Sequence, residues 1–261
     1  MKALTSLLER LRPAARATRP RLSWSRAPSV VYAIGDVHGC LDQLRALEAL
    51  IAEDARQVEG DKYLVLLGDY VDRGPKSAQV IDHLLAPPPP GFGRVCLRGN
   101  HEEMMLGAVA AGEGIGSWLS FGGEETMQSY GVPGDVAAAL GTWPRNLQRQ
   151  LLATYVPGEH VAFLTTLPVA LEMPGYAFVH AGVRPGYALS QQRDDDLMWI
   201  GGAFVESPES FGAIVVHGHT ATAQPVLRPN RIGVDTGCYQ TGRLTAIRLS
   251  PRDLPRFIEA R

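Results

Sequence analysis

Beyond residue 28 the chain alternates between two hydrophobic rhythms. Short apolar runs at 30–34, 63–67, 94–98, 176–180, 213–217 and 231–235 have the length of buried strands. Between them, helical spacing predicts helices over 41–56, 77–85, 101–111 and 146–154, with Leu41, Leu44, Leu47 and Ile51 on one face of the first. Strands alternating with helices indicate an α/β fold. No internal repeat is visible. The one low-complexity patch, "APPPPGFG" at 86–93, breaks a helix from the next strand.

Charge is unevenly distributed along this pattern. The net charge is −2, yet residues 1–28 hold seven Lys/Arg and one acid, leaving 18 basic and 26 acidic residues in the remainder. A globally basic nucleic-acid binder is therefore not expected, and no specific nucleic-acid partner is. The leader 1–28 is too broken by arginine to be a secretory signal, and reads as a flexible basic segment with a short helix near 3–12. No apolar run is long enough to span a membrane. Three cysteines, Cys40, Cys96 and Cys238, are too few and odd in number for a disulfide framework, so a reducing, cytoplasmic setting is expected.

The predicted strands end in polar clusters. "GDVHG" follows 30–34, "GDYVDRG" follows 63–67, "RGNHE" closes 94–98, "HAG" follows "YAFV" and "HGHT" follows "AIVV". In α/β sheets ligands bind at the carboxyl ends of strands, so the five clusters are expected to converge on one site. Their donors are Asp36, His38, Asp69, Asp72, Asn100, His101, His180, His217 and His219. Carboxylate, imidazole and amide oxygen suit manganese, iron or zinc rather than a thiolate structural zinc. The donors are too many for one open site, so two divalent ions sharing a carboxylate are expected. Such a pair supports in-line displacement at phosphorus by a hydroxide held between the ions. Arg73 and Arg98 flank the clusters, and arginine suits bidentate phosphate recognition. No Gly/Arg-rich anion loop surrounds a cysteine, so a thiolate nucleophile is not expected.

In order and type, these five motifs resemble the PPP-type, calcineurin-like metallophosphoesterases over residues 35–220. Within that family, "WLSFGGEETMQSYG" at 118–131 and "DLMWI" at 196–200 are similar to the bacterial and bacteriophage-lambda-type protein phosphatases. The diadenosine tetraphosphatases resemble the core motifs equally. The resemblance implies a central β-sandwich flanked by helices, with a catalytic domain over 29–250 and a C-terminal tail at 251–261. It implies that Asp36, His38 and Asp69 hold one metal, with Asp69 bridging to a second completed by Asn100, His180 and His219. It further implies His101 as general acid, Asp72 as its orienting partner, and Arg73 and Arg98 as a phosphate clamp. Manganese is the expected ion, with iron or zinc as alternatives.

The function so implied is a phosphomonoester hydrolase acting on protein Ser/Thr, or Tyr. The alternative is phosphoanhydride cleavage in a bis(5'-nucleosyl) tetraphosphate or at an RNA 5' end, and a phosphate-binding pseudoenzyme is a third reading. The expected partner is a phosphoprotein or a phosphorylated small molecule. Some residues invite plainer readings. His217 is expected to be structural, His83 and His160 to lie on the surface, and "RDDD" at 193–196 to be a solvated loop. One departure stands out: after "WI", where relatives carry a phosphate-binding arginine, this chain has Gly201. Arg184 is a candidate substitute.

Overall fold

The computed structural model describes residues 19–261. The expected helix near 3–12 lies outside the described residues. Eleven strands form among them: β1 (Arg21–Ser23), β2 (Val30–Ile34), β3 (Lys62–Leu66), β4 (Phe92–Cys96), β5 (Ala170–Met173), β6 (Tyr176–Val179), β7 (Ile214–His217), β8 (Val226–Leu227), β9 (Arg231–Gly233), β10 (Leu244–Ser250) and β11 (Asp253–Ala260). They make a six-stranded sheet ordered β1-β5-β6-β7-β9-β8 and a five-stranded sheet ordered β11-β10-β2-β3-β4.

The strands are apolar on both sides because both sides are covered. Val30, Tyr32 and Ile34 of β2 pack with Leu64 and Leu66 of β3 against the helices Leu41–Asp54 and Ser77–Leu85. The intervening Val31, Ala33 and Val65 face the other way, onto Leu171, Phe178 and Val216 of the second sheet. Alternate residues thus fill two different cores, the period-2 consequence of the pleat. The outer face of the second sheet is covered in turn by Leu197, Met198 and Phe204. The result is an α/β sandwich flanked by helices.

β2, β3 and β4 run parallel, as do β6, β7 and β9. Their carboxyl ends meet at one end of the sandwich. Gly35 makes this approach possible, because a Cβ there would lie 2.5 Å from the Val234 carbonyl oxygen. Gly68, at φ +108, turns the chain after β3 where a Cβ would lie 2.6 Å from the Gly99 nitrogen.

Three expectations are corrected. Residues 19–28 are part of the fold: β1 pairs in parallel with β5, and Trp24 packs on Tyr63 with ring centroids 4.5 Å apart. Residues 251–261 are not a tail, since β11 closes the five-stranded sheet antiparallel to β10 and Ala260 enters the core. "RDDD" opens the helix Asp194–Trp199, with Asp194 paired to Arg19 and Arg21 and Asp196 to Arg184. Among the described residues no helix is long and apolar enough to cross a membrane.

Candidate metal centre

Asp69, at the turn after β3, stands at the middle of the site. Its Oδ2 faces three imidazole Nε2 atoms: His180 at 3.4 Å, His38 at 3.5 Å and His101 at 3.9 Å. These gaps are long for hydrogen bonds. They suit ligand atoms placed around ions with bonds of about 2.0–2.2 Å. Two groups of mutually close ligand atoms share Asp69: His38, Asp69 and His101, and Asp69, His180 and His219. The Asn100 amide oxygen joins the second group, 2.8 Å from His180 Nε2 and 3.0 Å from His219 Nδ1.

Backbone contacts fix the ligand faces of two rings. His38 Nδ1–H donates to the Val71 carbonyl at 2.7 Å, and His180 Nδ1–H to the Leu67 carbonyl at 2.9 Å. Each ring is thereby turned with Nε2 toward Asp69. The chain is strained to achieve this. His38, Asp69, Asp72, Arg73 and His219 are the non-glycine residues with positive φ among the described residues, and all five belong to the site.

Asp36 stands at the edge of the cluster. Both its oxygens accept the His219 backbone N–H at 3.1 Å, so the carboxylate is drawn toward β7. It lies outside the two tightest groups but close enough to Asp69 and His180 to feel both charges. A Cβ at residue 218 would run into this carboxylate, which explains Gly218.

The charge balance fits bound cations. Burial pushes the Asp36 carboxyl well above the usual range, and Asp235 and Asp69 add repulsion. Burial opposes protonation of His180, yet the Asp69 carboxylate raises it to about 10. The pocket thus draws positive charge into a dry site, here as a proton. Burial lowers His38 to about 3 and His219 to about 4, which leaves lone pairs free for a metal.

His101 is held by Asp72. Its Nδ1 lies 2.7 Å from Asp72 Oδ2. Sequence reasoning missed what fixes Asp72 in turn. Trp118 Nε1–H donates to both its oxygens at 3.0 and 3.1 Å, and the Thr126 hydroxyl donates to Oδ1 at 2.7 Å. It also missed Glu102, whose buried carboxylate accepts the N–H groups of Asp69 at 2.8 Å, Tyr70 at 2.7 Å and Gly99 at 2.9 Å. A Glu three residues after Gly99 at a helix start was the available signal.

Arg73 stands at the mouth. Its Nη1 is 3.3 Å from His38 Nε2, and its guanidinium lies 4.9 Å over the Tyr239 ring. Arg98 does not join it. Its guanidinium donates to Glu103 at 3.0 Å and to the carbonyls of Leu164 and Thr165 at 2.6 and 2.7 Å, so it closes the end of the helix Gly158–Thr166 rather than the cluster. Arg184 is held by both oxygens of Asp196. Gly201 has φ −119, and nothing lies within 4 Å of a Cβ built there. His217 is buried and structural, its Nδ1–H meeting the Gly218 carbonyl at 3.0 Å and its ring packing on Phe204. His160 is also buried, against expectation, between Tyr130 and Asp82, and His83 is partly covered by Glu48.

A sandwich whose two sheets meet at a shared carboxylate between two imidazole groups defines a metallophosphoesterase. The calcineurin-like phosphoesterase model matches residues 29–242, and the chain belongs to that family. The family implies divalent metal ions and a hydrolytic reaction. Relatives include an asymmetrical bis(5'-nucleosyl)-tetraphosphatase of Anoxybacillus flavithermus, 25% identical over 82% of this chain and 88% of that one. A symmetrical bis(5'-nucleosyl)-tetraphosphatase of Janthinobacterium is 26% identical over 85% of this chain and 93% of that one. A crystal structure of a candidate diadenosine tetraphosphatase matches with TM-score 0.61 and 21% identity, covering 93% of this chain and 99% of that one.

Proposed function

We propose that the chain hydrolyses the polyphosphate bridge of a dinucleoside tetraphosphate. The observation that carries this reading is an open cleft of about 540 Å³ that begins at Arg73 and runs between Tyr239 and the Leu119–Gly123 segment. The cleft gives a substrate that continues beyond the phosphorus under attack somewhere to place its further groups. The relatives' activity on tetraphosphates supports the same substrate class.

Asp36, His38, Asp69, Asn100, His180 and His219 are the residues proposed to hold two divalent cations. When bound, such ions polarise a phosphoryl oxygen and acidify water. The protein's own groups do the rest. Arg73 binds phosphoryl oxygens as a planar, bidentate donor. His101 presents Nε2 to the site and carries a proton for the leaving oxygen. Burial opposes that proton, but Asp69 and Asp72 together hold His101 above the usual imidazole range. Asp72, locked by Trp118 and Thr126, keeps the ring from turning.

The test is a rate comparison of the Mn²⁺-loaded protein on diadenosine tetraphosphate, a phosphoserine peptide and para-nitrophenyl phosphate. The tetraphosphate is expected to lead the peptide by about tenfold or more in kcat/KM. The reverse order overturns the reading in favour of the phosphoprotein phosphatase expected from the sequence.

A further inference from the structure

The Leu119–Gly123 segment is a kink between two short helices, broken at Gly122. Gly122 sits inside it at φ +107 and accepts the Arg73 N–H at 3.1 Å. A Cβ there would lie 2.5 Å from that same Arg73 nitrogen, so the loop and Arg73 are joined backbone to backbone. The join fixes Phe121 at the rim of the centre. The residue is 50% exposed, with its ring centroid 6.5 Å from that of His101. Tyr239, on the opposite wall, already has Arg73 over its ring. Phe121 is therefore the ring along this cleft with a free face.

Glu124 and Glu125 follow on the same wall. Neither side chain forms a hydrogen bond or ion pair with another described residue. Two free carboxylates are a poor lining for more phosphate, yet they border the cleft that starts at a phosphate-seeking arginine. A substrate that fits this wall is anionic at one end and offers N–H donors and a flat ring at the other.

We propose that this wall is a nucleobase subsite, in which Phe121 stacks on the base and Glu124 and Glu125 accept hydrogen bonds from its N–H groups. The inference rests on the tetraphosphatase reading and adds a preference to it. A carboxylate only accepts. Guanine offers N1–H and N2–H side by side, adenine a single amino group. The one N–H of uracil is flanked by carbonyls that a carboxylate repels. The order expected is guanine, then adenine, then uracil.

The experiment measures kcat/KM of the Mn²⁺-loaded protein on diguanosine, diadenosine and diuridine tetraphosphates and on inorganic tripolyphosphate, which has no base. Wild type is expected to favour guanine over uracil by about tenfold or more, the scale of one bidentate base contact. Phe121→Ala is expected to lower the ratio of dinucleotide to tripolyphosphate rates by about tenfold through KM, and Phe121→Trp to keep it. Glu124→Gln with Glu125→Gln, which preserves shape, is expected to level guanine with uracil. If wild type cleaves no dinucleotide, the tetraphosphatase reading itself has failed. If it cleaves them with a base preference that none of these variants moves, or with none at all, the subsite alone is overturned.

Discussion

His101 uses its two nitrogens for different ends. Nδ1 is spent on Asp72 at 2.7 Å, and Nε2 is left for the reaction. Replacing it with asparagine keeps the fold and removes the proton. His101→Asn is expected to lower kcat by about 10²–10⁴-fold while both metals stay bound. The loss is expected to be larger for phenyl phosphate than for para-nitrophenyl phosphate, whose leaving group needs less protonation. Equal losses on the two esters would remove His101 from that role. The convergence of the site's acids and imidazoles was readable in the sequence because their reach is set by the backbone. Asp36 and His38, two apart at a strand end, have little freedom in where they point. Arg98 was misread because a long side chain beside a motif can turn either way, and here the carbonyls of Leu164 and Thr165 claim it. Trp118 and Thr126 went unseen because they reach Asp72 across 46 and 54 residues, a distance no local pattern bridges.

The central strands were legible for the same reason that they are buried: both faces of β2, β3, β6 and β7 are covered, so each is a continuous apolar run. The strands missed lack that signal. β10 buries Thr245 and Arg248 among its apolar residues, the arginine being paired with Asp253 at 2.7 Å. β11 lies at a sheet edge and contains Pro255, which an edge tolerates. β1 is only Arg21–Ser23. Its anchoring comes from Trp24 on Tyr63, the pairing with β5, and the ion pairs of Arg19 and Arg21 with Asp194. Truncation after residue 28 is therefore expected to destabilise the protein relative to truncation after residue 18. A loss of about 2 kcal/mol corresponds to a Tm lower by roughly 4–8 °C in a domain of this size. Part of the difference depends on pH. Burial opposes ionisation of Asp194, but the Arg19 amide and the Arg21 guanidinium hold its pKa below the ordinary value. A depressed acid stabilises above its unfolded pKa and loses that stabilisation as pH falls through the folded value. The gap between the two truncations is thus expected to narrow below about pH 4. Equal Tm values at neutral pH would show that residues 19–28 contribute nothing to the fold.

At the scale of the whole molecule, two sheets packed face to face bring together, at one end of the sandwich, strands whose carboxyl ends carry acids. Asp36, Asp69 and Asp235 are buried there together, with Asp72 and Glu102 close behind. Such a junction is costly in isolation, because burial and mutual repulsion both penalise ionised carboxylates. Divalent cations held by Asp36, His38, Asp69, Asn100, His180 and His219, as proposed, would remove that penalty. The metals should then act on stability as well as on rate. A ligand present at about 100 times its Kd adds about 2.7 kcal/mol. In a domain of this length that amounts to roughly 5–10 °C in Tm. Saturating Mn²⁺ is expected to raise the Tm of the chelator-treated protein by about that much and to restore activity in parallel. Asp69→Asn loses the oxygen shared by both groups, so it is expected to gain little from Mn²⁺ and to be nearly inactive. Stripped of metal it should be less stable than wild type, since the neighbouring imidazoles of His180, His101 and His38 favour the Asp69 carboxylate. A stripped wild type with full activity, or a Tm indifferent to Mn²⁺ in both proteins, would mean that the converging acids are held by hydrogen bonds alone.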